Sequence, residues 1–430
     1  MKLLFCCENY FPSRGGVQEV MRQVAERLVA AGHDVTVATR THPDRTGCVL
    51  NGVRIKEFDI RGSLIAGIVG DLEGYREFVA RFDGDAIMIK AAQQWSFDAL
   101  WPLLDQIKMR KVFIPCGFSG LYEPAFADYF AKMPEVLRKF DHLIFYAERY
   151  RDIDFARAHG VTAFSIVANG ASEREFDRPA DGSLRRELGI PADDFLVLTV
   201  GSPVDGKGHR KIAEAVASMD TGGRNVTAIL DGAWPKPALG SLWNPRIVLA
   251  VARMLARDGR QRVFEYLGLE PRDERLKGRG GAKRILRIDL PREKVVSAFL
   301  ESDLFVFASM VEYSPLVLFE AAAAGLPFVS GPVGNAEEIV RWTGGGWICD
   351  AEVDEKGYVT LPTAVLAREI AKAIRSPELL NGIGAAGKTA WRERFNWQTI
   401  AASYERVLMG AGSAVTAAGR TEGEVSQGAP

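Results

Sequence analysis

A helix start in the second half of the chain is the stretch best suited to bind a charged ligand. Ser314 is followed by Pro315, which is a helix-start signal because serine can cap a helix and proline suits its first position. The apolar, alanine-rich segment after it predicts a helix from about Pro315 to Gly325. Leu326 to Ser330 then predicts a buried strand. We therefore expect Ser314 and Pro315 to border a ligand.

Two carboxylates flank this helix start. Glu312 lies in the loop before it, and Glu320 lies about 7 Å along the helix axis from Pro315 at the usual rise per residue. The free amides and positive dipole end of a helix N-terminus suit a phosphate or diphosphate, which would lie at Leu316 and Val317. Glu320 could then accept hydrogen bonds from a ribose diol, while Glu312 faces the group beyond the diphosphate. The pattern predicts a site for a nucleotide-sugar.

The spacing of the two glutamates resembles the signature of the family-four retaining glycosyltransferases. Seven residues separate Glu312 from Glu320, Pro315-Leu316-Val317 lies between them, and AAAAGLPFV follows. The resemblance implies the two-domain GT-B fold and retention of the anomeric configuration. In such enzymes the carboxylate at the position of Glu312 holds sugar hydroxyls and orients the anomeric carbon, so Glu312 is the expected catalytic residue. The alternative is a solvated loop charge at Glu312 and a surface helix residue at Glu320.

The amino-terminal stretch resembles the first βαβ unit of the same family. Lys2 to Cys7 predicts a buried strand, ENYFPSRGG a loop, and Val17 to Ala31 a helix. The resemblance places Gly16 against the donor phosphates, where the absence of a side chain lets a ligand approach the backbone. The alternative is a tight turn without a ligand. By the same match the acceptor-side candidates in and after the loop are Glu8, Asn9, Arg14 and Gln18.

Strand and helix patterns alternate from Val53 to Val167 and predict a mainly parallel sheet covered on both faces. Such sheets bind ligands at the carboxyl ends of their strands. Trp95 follows one of these strands and is an acceptor candidate because an aromatic ring can stack on a sugar; the alternative is a buried core tryptophan. Relatives carry a histidine at the position of Cys116, so we do not count Cys116 as catalytic.

A second loop supplies a positive charge to the site. Val167 to Pro179 resembles the interdomain hinge of the family, and Phe195 to Val200 predicts the first strand of a second domain, followed by GSPVDGKGHRK. Lys207 in this loop can bind a diphosphate; the alternative is a solvated lysine. The resemblance expects an arginine where Ser202 follows Gly201. Both residues are donor-side candidates, and one positive charge is missing.

Basic residues outnumber acidic ones by about two to one between Arg246 and Lys294. Charge runs of this kind are usually solvated. Family members contact the nucleotide base where Ile288 to Arg292 ends a strand and opens a helix, so Arg292 is a further donor-side candidate. A patch of arginines could also contact an anionic membrane surface, which would suit a lipid-linked acceptor.

Length and composition bound the fold. The 430 residues suffice for two domains, and a net charge of −1 argues against a general affinity for nucleic acid. We expect the α/β class with the GT-B fold, in which two Rossmann-like doubly wound domains face a central cleft. Residues 1–178 would bind the acceptor and residues 179–392 the nucleotide-sugar. Residues 393–410 would form a helix that returns to the first domain, and residues 411–430 a disordered tail.

The expected protein is a cytoplasmic, hexosyltransferase-like retaining enzyme. Its five cysteines show no disulfide or metal-ligand spacing, and no stretch reaches the roughly twenty apolar residues needed to span a bilayer. It would transfer a sugar from a nucleotide-sugar to a glycan or lipid-linked glycan in envelope polysaccharide or glycolipid biosynthesis, in solution or peripherally at the inner membrane surface. No cofactor or metal is expected, because no Asp-x-Asp motif was found near the site.

Two alternatives remain open from the sequence. Cys116 and Ser202 motivate a nucleotide-sugar-binding protein that has lost transfer. Another GT-B enzyme, such as a nucleotide-sugar epimerase, is the second. A dinucleotide dehydrogenase is disfavoured, because neither domain opens with the three-glycine fingerprint of such enzymes.

Overall fold

A computed structural model describes residues 1–234, 248–249, 251–253, 255–256, 271–278 and 280–411, and the structural statements below concern these residues. Most of the predicted tail, and part of the basic run, lie outside them. Within them the chain forms two doubly wound α/β domains, as the sequence predicts.

The first domain contains ten strands and five helices within the described residues. The strands are β1 Lys2–Cys6, β2 Asp34–Arg40, β3 Val49–Leu50, β4 Val53–Phe58, β5 Ile60–Ser63, β6 Gly67–Gly70, β7 Ala86–Lys90, β8 Arg110–Ile114, β9 His142–Phe145 and β10 Phe164–Ile166. The helices are α1 Gly16–Ala30, α2 Leu72–Arg81, α3 Trp95–Asp98, α4 Ala127–Leu137 and α5 Arg151–Ala158.

Eight of these strands form one sheet in the order β10-β9-β8-β7-β1-β2-β4-β3. All neighbours pair in parallel except β3 with β4. The strands are apolar on both faces because helices cover the sheet on both sides, which is the usual pattern of a parallel sheet. The antiparallel hairpin of β5 and β6 is separate from this sheet and was not predicted.

The connection between the domains carries the helices α6 Glu173–Phe176 and α7 Ser183–Glu187. The strands of the second domain are β11 Phe195–Val200, β12 Val226–Asp231, β13 Asp273–Gly278, β14 Gly281–Ile288, β15 Leu304–Phe307, β16 Phe328–Ser330, β17 Gly346–Ile348, β18 Glu352–Val353 and β19 Val359–Thr360. The described helices that follow are α8 His209–Ser218, α9 Arg292–Glu301, α10 Leu316–Ala324, α11 Ala336–Thr343, α12 Thr363–Ile374, α13 Pro377–Ala390 and α14 Trp397–Leu408.

Seven strands of the second domain form a sheet in the order β13-β14-β12-β11-β15-β16-β17. Only β13 is antiparallel to its neighbour in this sheet, so the carboxyl ends of the other six strands meet at one edge. The loops before α8 and α10 leave from that edge. The topology therefore brings the two predicted loops of the donor site together.

The chain passes between the two hydrophobic cores twice. Val167 packs in the core of the first domain and Ala168 in that of the second, so the first change of core falls about ten residues before the predicted boundary. The return falls between Phe395, which packs in the second core, and Trp397, which packs in the first. Helix α14 then lies against α1, and His33 contacts Glu405 at 2.7 Å.

The packing of α14 against the first domain should contribute to the stability of that domain. Trp397 is 2% exposed and packs among first-domain residues, so Trp397→Ala should lower the free energy of unfolding by about 3–5 kcal/mol. Chemical denaturation measures this loss. Met409→Ala, at a 59% exposed position just after α14, is the control and should change stability little. Equal stability of the two variants would contradict a structural role for the returning helix.

Candidate functional site

Helix α10 begins one residue later than predicted and Ser314 does not cap it. Pro315 is the N-cap residue, Leu316 is the first helical residue, and no side chain caps the helix. The buried Ser314 Oγ has no hydrogen-bond partner among the described residues. The main-chain amides of the first turn, which include those of Leu316 and Val317, are therefore left without a side-chain acceptor and suit an anion.

Lys207 and Glu312 form an ion pair with each other. Ser309 Oγ donates a hydrogen bond to Glu312 Oε1 at 2.9 Å and lies 3.2 Å from the carbonyl oxygen of Gly206. The two loops that the sequence assigns to the donor site are thus one unit in the structure. An anion placed at this point would compete with Glu312 for the Lys207 ammonium.

The loop that carries Lys207 lies directly on the end of β15. Gly208 has a φ of 75°, and a Cβ there would lie 2.3 Å from the carbonyl oxygen of Ala308. The Met310 amide donates to the Gly206 carbonyl at 2.7 Å. A side chain at position 208 would displace the loop, so glycine fixes the position of the Lys207 ammonium relative to the strand end.

Glu320 is buried, which excludes the alternative of a surface helix residue. It is 7% exposed, and Arg292 Nη2 donates to Glu320 Oε1 at 2.6 Å. Arg292 also contacts both carboxylate oxygens of Glu175, at 2.9 and 2.8 Å. Burial raises the pKa of Glu320, and the charge of Arg292 opposes that rise. Arg292, at the start of α9, therefore holds Glu320 in place.

The glycine turn of the first domain faces the start of α10 across the cleft. A Cβ built on Gly16 would lie 3.7 Å from Leu316 Cδ1. Gly16 is exposed, as are Arg14 before it and Ser202 at the end of β11. The structure thus brings Gly16 and Leu316 together, and their shared role at a diphosphate stays a prediction. Gly201 lies beside Ser202, and its amide donates to the Asp231 carbonyl at 3.1 Å.

The loop before α10 is bound to the first domain through Tyr313. The Tyr146 amide donates to the Tyr313 hydroxyl at 2.9 Å, and that hydroxyl lies near the Asp152 carboxylate. Tyr150 of the first domain donates its hydroxyl to the Glu312 carbonyl at 2.5 Å. The main chain of the predicted catalytic residue is therefore positioned by residues of both domains.

One metal-type spacing was overlooked in the sequence. Asp152 and Asp154 have the Asp-x-Asp spacing, and the structure places Asp152 beside the site, contrary to the expectation that no such motif lies there. The Asp152 carboxylate accepts from the Gly117 amide at 2.8 Å and lies near Tyr313, whereas Asp154 is exposed. In the described ranges no three His, Cys, Asp or Glu side chains form a group that could hold a metal ion. Metal independence stays a prediction.

Trp95 does not line the cleft, which corrects the prediction that it stacks on the acceptor. It has no exposed surface and packs edge-on against Tyr75, with ring centroids 5.0 Å apart. The other acceptor candidates lie at the surface of the first domain. Glu8, Asn9 and Gln18 are half-buried. Burial raises the pKa of Glu8, which is the expected effect of partial desolvation of a carboxyl.

The strand ends of the first domain carry unusual backbone conformations. Four residues other than glycine have positive φ after β7 and β8: Ala91 at 72°, Gln93 at 63°, Cys116 at 66° and Phe118 at 47°. Such conformations cost energy and concentrate at functional sites. They lie at the carboxyl edge of the sheet, where parallel sheets bind ligands. The sequence does not show them, because none of the four is a glycine.

Sequence reasoning also missed Lys90. This last residue of β7 is 1% exposed, and its ammonium lies 5.0 Å from the centre of the Tyr146 ring. It makes no ion pair or hydrogen bond within the part of the chain that the structure describes. Burial lowers its pKa to about 8, while Cys116 and Cys7 oppose that shift. The available signal was a charged residue that ends the buried run Ala-Ile-Met-Ile.

The sequence pattern predicts that the basic run is solvated. In its described part, however, arginines pair with carboxylates. Arg284 contacts both oxygens of Asp273 at 2.9 Å, and Arg287 contacts Glu274 at 2.9 Å. These pairs tie β14 to β13. Among the described residues, no helix has both the length and the apolar character to cross a bilayer. A peripheral membrane contact stays a prediction.

One family model matches part of the chain. Residues 244–390 match the family described as "Glycosyl transferases group 1", a range that includes Arg292, Glu312 and Glu320. This range is less than half of the chain. No curated protein matches the chain in sequence.

Solved structures match nearly the whole chain. Sucrose-phosphate synthase from Thermosynechococcus elongatus matches with a TM-score of 0.67 and 18% identity, over 96% of this chain and 99% of that one. Anabaena Alr3699/HepE, solved in complex with UDP and glucose, matches with a TM-score of 0.63 and 17% identity, over 95% and 100%. WaaG, a glycosyltransferase involved in lipopolysaccharide biosynthesis, matches with a TM-score of 0.61 and 17% identity, over 95% and 100%. The chain has the GT-B fold, which confirms the predicted fold class.

Proposed function

We propose that this chain is a retaining glycosyltransferase that moves a sugar from a nucleotide-sugar to a glycan or lipid-linked glycan acceptor. The observation that carries the proposal is the convergence of Lys207, Glu312 and the start of α10 opposite Gly16. The family match over residues 244–390 and a similar structure solved with UDP and glucose support it. Synthesis of envelope polysaccharide or glycolipid, at or near the inner membrane surface, is the proposed setting.

The diphosphate would bind at the first turn of α10. That turn offers free amides and a positive dipole end, and Lys207 lies close enough to Glu312 to form an ion pair. When the Lys207 ammonium turns to the diphosphate, the Glu312 carboxylate loses its cation and becomes free to accept hydrogen bonds from the sugar hydroxyls. Donor binding and the orientation of Glu312 are thus coupled through one ion pair.

Glu320 would bind the ribose. Its Oε1 is held by Arg292 at 2.6 Å, so a ribose hydroxyl would be accepted by Oε2. Arg292 in turn is held by Glu175. Arg292 therefore acts as a positioning residue for the ribose-binding carboxylate.

The reaction would depend on positioning and on stabilisation of the leaving group. The bond between the anomeric carbon and the diphosphate oxygen breaks, its electron pair passes to the diphosphate, and the acceptor oxygen bonds to the same face of the sugar. The acceptor proton passes to the departing diphosphate. Lys207 and the α10 amides stabilise the charge that develops, and Glu312 orients the sugar.

Substitution of the two charged side chains proposed to bind the diphosphate and the sugar tests their roles. Lys207→Met and Glu312→Gln should each lower the rate of transfer by about 100-fold or more, because each removes a charge that acts on the reacting groups. A thermal-shift screen of uridine, guanosine and adenosine sugar nucleotides first selects the donor, and transfer is then measured. The exposed Glu293→Gln and Lys372→Met are matched controls and should retain wild-type rates.

Unchanged transfer in both site variants would contradict the proposed roles. The same measurements separate the alternatives. A wild-type protein that binds a donor tightly but transfers to no acceptor would be a binding protein. A changed donor sugar without an acceptor would identify an epimerase.

The second prediction concerns metal ions. Because Lys207 and the α10 amides supply the positive charge at the diphosphate, transfer should continue in excess EDTA at close to its untreated rate. The measurement compares initial rates before and after chelation, with and without added Mg²⁺ or Mn²⁺. Activity that disappears with EDTA and returns with either ion would show that a metal supplies this charge instead.

A further inference from the structure

Lys90 lies at the carboxyl edge of the first-domain sheet, outside the groups assigned to the donor. It ends β7, next to β1 and β8 in the centre of the sheet. Its side chain points to the face that holds Tyr146, because its ammonium lies 5.0 Å from that ring. Cys116, which follows β8, is half-buried and lies close enough to this ammonium to affect its pKa.

The groups around Lys90 do not neutralise its charge. Burial raises the pKa of Cys7 to about 12, and it also raises the pKa values of Cys116 and Tyr146, so these groups are uncharged at neutral pH. No carboxylate in the described ranges pairs with Lys90. A buried charge without a counter-ion is strongly unfavourable. The fold therefore keeps a cation here at a cost to its stability, as binding sites commonly do.

We propose that Lys90 binds an anionic group, a carboxylate or a phosphate, carried by one of the two saccharides that meet in the cleft. This inference rests on the proposed function and names the substrate class within it. The donor diphosphate is a less suitable partner, because the cation and the helix start proposed to bind it, Lys207 and the start of α10, belong to the second domain. The positive φ values at Ala91 and Cys116, on either side of this ammonium, indicate a backbone shaped for a ligand.

A stability measurement tests the premise. Lys90→Met removes the buried charge and keeps the apolar stem, so it should raise the melting temperature at pH 7 by several degrees. The pKa of Lys90 is about 8 in the folded chain, against an ordinary value of 10.5. Below pH 8 the buried ammonium therefore lowers the stability of the fold by its full amount. Between pH 8 and 10.5 the folded chain loses this proton before the unfolded chain does.

The increase in melting temperature caused by Lys90→Met should therefore become smaller between pH 8 and 10.5. Because Cys7, Cys116 and Tyr146 titrate in both proteins, the difference between the two melting curves isolates Lys90. Lys56→Met is the matched control, since Lys56 also lies over an aromatic ring, 5.6 Å from the centre of Phe58, but is exposed. A Lys90→Met protein that is less stable at pH 7 would show that the ammonium has a stabilising partner in the fold, which overturns the inference.

Binding to the full-length protein tests the proposal directly by calorimetry. In the donor arm, UDP-glucuronate is compared with UDP-glucose, or with the pair carrying the base that the donor screen selects. In the acceptor arm, the protein saturated with the nucleoside diphosphate is titrated with glucuronate, glucose 6-phosphate and neutral glucose. In one of the two arms, the wild type should bind the anionic sugar with an affinity about 10-fold or more above that for the neutral sugar. Lys90→Met should abolish that difference.

Three results would overturn the proposal while leaving the proposed function intact. They are equal binding of charged and neutral sugars by the wild type in both arms, an unchanged preference in Lys90→Met, and a comparable loss of binding of the nucleoside diphosphate itself in Lys90→Met. The last would assign Lys90 to the diphosphate. By contrast, a wild type that binds neither UDP, GDP nor ADP would reject the proposed function, and this inference with it.

Discussion

The position of the Tyr313 hydroxyl between strand ends of the first domain is the contact on which the site depends. Tyr313 belongs to the second domain, but its hydroxyl accepts from the Tyr146 amide and lies near the Asp152 carboxylate. Its neighbour Glu312 receives the Tyr150 hydroxyl on its carbonyl oxygen. Because these partners are on the opposite domain, any opening of the cleft must break them together. The distance between Glu312 and the glycine turn, and hence the fit of a sugar between them, is therefore set by domain closure.

The charged residues proposed to bind the donor are arranged as ion pairs. Lys207 pairs with Glu312, and Arg292 pairs with Glu320. A cleft that held these charges without partners would be unstable, because each would lose part of its hydration without compensation. The pairs compensate these charges in the fold. In the proposed function, a diphosphate takes the cation of one pair and a ribose uses the unbound oxygen of the other.

Sequence patterns predict those parts of the site that follow from local structure. Alternating strands and helices predict both sheets, the Ser314-Pro315 step predicts the start of α10 to within one residue, and GKG identifies the Lys207 loop. The remaining features depend on contacts distant in sequence. The burial of Trp95 follows from its packing against Tyr75, and the role of Asp152 follows from its proximity to Tyr313. The strained backbone at Cys116 likewise cannot be predicted from the sequence, because left-handed backbone is expected at glycine and not at cysteine.

Lys207 and Lys90 show how environment separates two chemically identical side chains. Lys207 is paired with a carboxylate and partly exposed, so an anion can reach it only in exchange for the one that it already holds. Lys90 lies beside the Tyr146 phenol and the Cys7 and Cys116 thiols, which stay neutral, so within the described chain its charge faces an aromatic ring but no counter-ion. An anion at Lys90 would recover the energy of an uncompensated buried charge, whereas an anion at Lys207 must first displace Glu312. The strongest discrimination by charge in this cleft should therefore arise in the first domain, although the second holds most of its ionised side chains.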